Sequence, residues 1–568
     1  MRRRGSFLSR IVVATLLLCA AGPGRSIAQV PSSVPGPARE SETGHEDWLR
    51  QATTLIAHGK VDDAAAAAHQ RSADDPAARV MLARLALRQA RRADAEQLLK
   101  PVADQDPAGE AALELALLYR ATGREEAAAP LLDAVTSSAA EAQDAPALLR
   151  AARATAAIGE FRQANQLFRR ASRSAAGDPA VETAWGTLFL DKHNTQDAAR
   201  SFEEALRADP EWAPAHLGLA RALADTNSSK SFEALGRALA IDPTLVDAHV
   251  LNARLQLDDG HRAEAKVSVA KALELAPGNF EARALGAAIA RIEDRQADFD
   301  AQVTRLLADN PRYADAYDSA ADLLARAYRF DEAVALGRKA IEVDPGDASA
   351  LARLGLNLMR TGDEAEARQT LDAAFRLDPY DVFTYNLLEV LDYLDEFDTI
   401  EQPPFVFRFH KGESQVLKEY VPGLAKEALT TLIKRYGFTP KGPILVEMFP
   451  VHDHFAVRTL GLPGLVGALG ACFGRVVTLD SPKARPPNTF SWEATLWHEL
   501  AHVITLQMSR QRVPRWLTEG MSVYEERRAR PEWGREMEVA FARAWRDGKV
   551  IPVRDLDSGF TKAETIAL

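Results

Sequence analysis

Six prolines, Pro210, Pro243, Pro277, Pro311, Pro345 and Pro379, stand 33, 34, 34, 34 and 34 residues apart. That spacing constrains the fold more than any other feature of the chain. Only a unit repeated in space returns a helix-breaking residue at a fixed interval. Five of the six follow Asp209, Asp242, Asn310, Asp344 or Asp378, and the sixth follows Ala276. Small residues recur between them. Gly186, Ala198, Phe202, Ala205 and Pro210 form a small–small–aromatic–small–Pro series, and Gly355, Ala367, Ala374 and Pro379 fill the same slots again. Small residues let the two helices of a hairpin approach closely, and proline closes the second helix. Before Pro210 the pattern loosens, with Pro76, Pro107 and Pro179 closing similar Ala- and Leu-rich pairs. The pattern predicts about ten stacked helix pairs from Glu46 to near Asp395.

These residues and their period resemble the tetratricopeptide repeat. The resemblance implies an α-solenoid over 46–395, with a concave face that takes a protein partner. The Arg, Asp and Glu residues scattered through the repeats fit a solvated helix face as well as a ligand-binding one.

A second signal lies near the carboxyl end, in His498-Glu499-Leu500-Ala501-His502. Residues four apart share one face of a helix, so His498 and His502 can point both imidazoles at a single ion. Glu499 lies beside the first of them, where it can deprotonate a water. Ser491 is a plausible N-cap, and Leu496, Leu500, Val503 and Ile504 continue a helical period. Arg512-Val513-Pro514 then breaks that helix, and Trp516-Leu517-Thr518-Glu519-Gly520 opens another. Catalytic zinc takes three protein ligands and leaves one position open. Glu519 is the candidate third ligand. The alternative is a pair of ordinary buried helices, which two histidines four apart around a glutamate make the weaker reading.

Those residues resemble the gluzincins and, more narrowly, the peptidase MA-like domain found with helical repeats, from about Phe405 to the last residue. The resemblance implies one Zn²⁺ held by His498, His502 and Glu519, with Glu499 as general base. It also implies an edge strand that pairs with an extended peptide substrate, for which Gly467, Ala468, Leu469 and Gly470 are the candidates. Read from the residues alone, Val476 to Leu479 is a β-branched strand closed by Asp480-Ser481-Pro482. The Gly- and Ala-rich stretch before it either admits a second backbone or forms a loop. The sequence departs from the family in having Thr518 where Asn is common. No clear oxyanion-stabilising residue is visible either; Tyr524 is the nearest candidate, and a core position is its other reading. The apolar ending Thr565-Ile566-Ala567-Leu568 reads as a truncation within this domain.

Between the two parts, 396–404 reads as a linker on the strength of Glu401-Gln402-Pro403-Pro404. Phe405 to Phe409 and Ile444 to Phe449 read as strands, and Val416 to Tyr436 as an amphipathic helix. His452 and His454 form an H-x-H pair that lacks a third ligand nearby, so a surface loop is expected there. The fold expected is mainly α, a solenoid followed by an α+β zincin-like metallopeptidase domain over 405–568.

At the amino end, Arg2-Arg3-Arg4 and Arg10 precede an apolar run from Ile11 to Ala21, and Ser26-Ile27-Ala28 offers a cleavage site. Residues 1–28 read as a secretory signal too short to span a membrane, and 29–45 as a flexible lead-in. Removing five Arg and no acid moves the formal charge from −11 to −16, which opposes nucleic-acid binding. Cys19 leaves with the signal, so Cys472 has no intramolecular partner. The function implied is an exported, periplasmic or secreted zinc metallopeptidase that hydrolyses peptide bonds, with repeats that bind a protein substrate or partner. The alternative is a non-catalytic scaffold assembling envelope proteins around a structural or inactive zinc domain.

Overall fold

The computed structural model describes residues 42–464, 467–533, 537–550, 552–553 and 556. The expected signal, nearly all of the lead-in and the terminal run Thr565–Leu568 lie outside the described residues. From Glu42 the chain folds into ten α-helical pairs followed by a last helix, Val382–Leu394. The recurrent Asp-Pro and Asn-Pro steps sit where each second helix ends, and the acidic or amide side chain does the turning. Asp209, Asp242, Asn310, Asp344 and Asp378 each accept a hydrogen bond from the backbone N–H two residues on. Proline fixes the residue between. The small positions are steric. A Cβ on Gly186 would lie 2.7 Å from the Phe202 ring, and one on Gly218 would lie 2.2 Å from it.

The solenoid coils tightly enough for successive turns to touch. His58 reaches Asp209 at 2.7 Å, and Arg92 reaches the carbonyl of Gly278 at 2.9 Å. Asn310 donates to the carbonyl of Ala121. Lys192 lies 3.2 Å from Asp378 and sits over the Phe161 ring. These contacts span 151 to 189 residues, roughly five repeats.

The last helix runs into a five-stranded sheet of order β1-β2-β3-β5-β4. β1 (Phe397–Gln402) and β2 (Phe405–His410) form an antiparallel hairpin; β3 (Ile444–Phe449) and β5 (Val476–Asp480) continue the sheet in parallel. β4 (Gly470–Cys472) pairs antiparallel with β5 and forms one edge. The 396–404 segment is therefore not a linker, a correction to the sequence reading. Its Pro403-Pro404 step turns a hairpin instead of separating two parts. Phe405, Phe407 and Phe409 alternate inward and pack with Leu496, Trp497, Leu500, Val503 and Ile504. That core seats the helix Trp492–Met508 under the sheet.

The sheet unit is fused to the repeats. Phe330 of the solenoid meets Phe473 edge-on at 5.3 Å, and one apolar cluster contains both of them with Val476 and Leu336. Arg458 and Glu447, both fully buried, pair at 2.9 Å, and Arg458 also donates to the carbonyl of Met359 in the repeats. Arg408 bridges Glu364 of the repeats and Glu447 of the sheet.

Candidate metal centre

The helix Trp492–Met508 starts at Ser491, whose hydroxyl accepts from the Ala494 N–H. Every residue from Ala494 to Leu506 is buried, so the helix lies inside the unit and not along its surface. His498 and His502 stand one turn apart on it, their rings edge to face at 4.8 Å. After the break at Pro514 the helix Arg515–Ala529 returns against it, bringing Thr518, Glu519 and Glu526 onto the histidines.

Three ligand atoms converge. The Nε2 atoms of His498 and His502 lie 3.0 Å apart, and Glu519 Oε2 lies 3.3 Å from the first and 3.4 Å from the second. In a tetrahedral zinc site with bonds of about 2.0–2.1 Å, ligand atoms stand about 3.3–3.4 Å from one another. The donor set therefore fits such an ion in both spacing and chemistry.

Proton placement points the same way. His498 Nδ1 bonds the Glu526 carboxylate, which only accepts, so the proton sits on Nδ1. On the other imidazole, Nδ1 lies 2.7 Å from the Thr518 hydroxyl. Thr518 in turn lies 2.6 Å from Thr505, whose hydroxyl donates to the His502 carbonyl. Followed back from that carbonyl, the chain leaves Thr518 accepting from His502 Nδ1–H. Both Nε2 lone pairs thus face one point, with a carboxylate oxygen opposite them. The cluster calls for positive charge. Burial works against a charged His498, yet its bonds to Glu519 and Glu526 hold its pKa up at about 10. Burial pushes Glu519 the other way, and the two histidines hold it far below the usual carboxylate range.

Glu499 is buried one residue along. Burial pushes its carboxyl above the ordinary value, against the pull of His498 and His502. It lies directly beneath the edge strand: a Cβ on Gly470 would come 2.6 Å from Glu499 Oε1 and 2.9 Å from Thr495. Glycine at 470 is what lets β4 approach the carboxylate. Ala468 and Leu469 lead into that strand, their carbonyls held by Arg485 and by the Asp480 N–H. Gly467, with φ of +95°, turns the chain towards it.

Two expectations fare differently. Tyr524 lies five residues after Glu519, about 140° around the helix; it is 57% exposed, with Arg528 beside its hydroxyl. It is on neither the metal side nor in the core. His452 and His454 open the helix His452–Leu460 and do not form a surface loop. They diverge, His452 to Asp480 at 2.9 Å and His454 to the Tyr393 ring at 4.0 Å. Glu526 escaped the sequence reading. Its signal was its place seven residues after Glu519, two turns along the same face. Thr518, read as a departure from the family, is the residue that orients His502.

Comparison with known proteins bears on the repeats. The tetratricopeptide repeat family model matches residues 80–146, 183–245 and 319–382. The chain carries tetratricopeptide repeats, and the matched segments all precede the sheet. No curated protein matches the chain. Among solved structures it is similar to a chain of the APC/C hetero-tetramer Cut9-Hcn1, at 12% identity over 61% of this chain and 72% of that one, with a TM-score of 0.39. It is also similar to yeast Tom70, at 15% identity over 63% of this chain and 90% of that one, with a TM-score of 0.33.

Proposed function

We propose that the protein is a zinc-dependent peptidase whose repeats bind a protein substrate or partner. The observation that carries this reading is the convergence of His498 Nε2, His502 Nε2 and Glu519 Oε2 beside the buried carboxylate of Glu499. When bound, zinc supplies Lewis acidity towards a carbonyl and a water. Glu499 takes the water proton and delivers it to the leaving amine, a task suited to a carboxyl that burial holds above its ordinary value. Glu526 and Thr518 hold the imidazoles in the tautomer that ligates. The open side of β4, beside Glu499, offers backbone groups to an extended peptide. The amino-terminal sequence supports export to the periplasm or the exterior. No described helix is long and apolar enough to cross a membrane.

Zinc content and peptide hydrolysis test the two halves. His498→Ala is expected to lose zinc. Glu499→Gln is expected to keep it and lose hydrolysis of a peptide library. Wild-type protein holding less than a tenth of an equivalent of zinc after loading would sink the metal site. A non-catalytic scaffold is the second reading, favoured by the outward placement of Tyr524. It requires zinc-loaded protein that cleaves nothing in the library and keeps its partners after Glu499→Gln.

A further inference from the structure

The turns inside the repeats share a backbone feature that four non-glycine residues, Ala90, His193, Asp294 and Tyr328, also adopt, and Tyr328 is the bulkiest among them. Between the two helices of most pairs, one residue takes a positive φ, and Gly59, Gly123, Gly159, Gly260 and Gly362 fill that place in five of them. Glycine suits it because a side chain there is strained. Tyr328, between the helices Asp315–Arg326 and Phe330–Val343, holds the same place with φ of +61°. A bulky non-glycine residue in this region is strained and persists where the surroundings enforce it. Its ring stands at the seam, edge-on to Phe330 of the repeats and packed on the core of the sheet unit, against the cluster that contains Cys472, Trp497 and Leu500. The Arg515 guanidinium lies 5.5 Å from the ring centre. The turn is clamped from both sides: Arg329 holds Asp294 and Glu332 from within the repeats, and Arg512 holds the same two carboxylates from the segment that leads to Glu519. Among the described residues no protein group hydrogen-bonds the Tyr328 hydroxyl.

We propose that the repeats supply a group to the reaction centre: Tyr328 donates its hydroxyl proton in a hydrogen bond to the carbonyl oxygen of the bound peptide as that oxygen gains charge. The inference rests on the peptidase reading and fills the place that Tyr524 leaves open. A donor aimed at developing charge accelerates the step because it is already oriented. The phenol stays protonated for the task. Burial pushes it up to about 12; Arg515 opposes the shift, and Glu519 and Glu499 add to it. The Arg515 guanidinium beside the ring also lies 4.0 Å from Glu519 Oε1, so one side chain separates the phenol from the metal cluster.

The test is Tyr328→Phe in the full chain, which keeps the ring and removes the hydroxyl. With zinc content and KM for a quenched-fluorescent peptide unchanged, kcat is expected to fall about 10²–10³-fold. Affinity for a phosphinic pseudopeptide, whose tetrahedral oxygens mimic the charged state, is expected to fall at least about tenfold. A merely structural role would change zinc content or KM and leave the ratio of pseudopeptide to substrate affinity alone. Wild-type kcat and pseudopeptide affinity in the Phe variant overturn the role of Tyr328 and leave the peptidase reading standing. Zinc-loaded wild type that neither cleaves peptide nor binds the pseudopeptide overturns both.

Discussion

The molecule has two long-range joints, and they differ in chemistry. Where one coil of the solenoid rests on the next, the contacts are polar and partly wet: His58 on Asp209, and Lys192 and His193 on Asp378. Where the solenoid meets the sheet, the centre is aromatic and dry, with Phe330 on Phe473 and a fully buried Arg458 that donates to the carbonyl of Met359, and ion pairs such as Arg408–Glu364 accompany it. Polar contacts near water are worth little each and yield to salt. Buried charge that has lost its partner is costly. The coils can therefore part without loss of fold, whereas the repeats and the sheet stand or fall together.

Arg458→Ala gives the largest effect and tests the dry joint. It leaves Glu447 buried with only the longer contact to Arg408, and burial already pushes that carboxyl upward. The expected loss is about 3–5 kcal/mol, read by denaturant titration. A loss under 1 kcal/mol would show that the joint is wetter than the pairing implies. Lys192→Ala tests the wet joint. Removing its contact with Asp378 and with the Phe161 ring is expected to cost about 1 kcal/mol, smaller still at high salt, with the sheet unit unaffected.

The smallest effect concerns a buried acid within the repeats. Burial raises Asp315 to about 6, with Asp318 adding and Arg254 and Arg353 opposing. An acid whose folded pKa lies above its unfolded value of 3.8 stabilises the fold below about pH 4 and loses that contribution as pH rises through about 6. Asp315→Asn is expected to narrow the difference in Tm between pH 4 and pH 7. An unchanged difference would mean that Asp315 titrates like a solvated acid.

The repeats were legible in the sequence because each is specified locally. An Asp or Asn before proline, a glycine facing Phe202 and a 34-residue interval all act within one unit and its neighbour. The histidine pair and Glu519 were legible for the same reason, since two consecutive helices and the turn between them carry them. What the sequence did not reveal lies in contacts between distant segments. Nothing local marks Arg458 as bound for Met359, or Arg408 as a bridge to Glu364. Pro403-Pro404 reads as a breaker whether it ends a linker or turns a hairpin, and only the pairing of Phe397 with His410 separates the two. Glu526 was hidden because its partner, His498, lies 28 residues back on another helix.

The stacked coils have a mechanical consequence. A spring whose coils already touch resists compression and gives way only in extension. Pulled along its axis, this one would release bonds such as His58–Asp209 and Arg92–Gly278 one after another, each weak, while every hairpin stays folded. Coil and joint in series bear the same tension, so the weaker coil contacts would yield first and the joint at Phe330 last. The repeats can in this way act as a shock absorber in series with a rigid block. The same contacts, far apart in sequence, also give an otherwise local array a slow final step in folding, because a whole coil must form before its ends can meet.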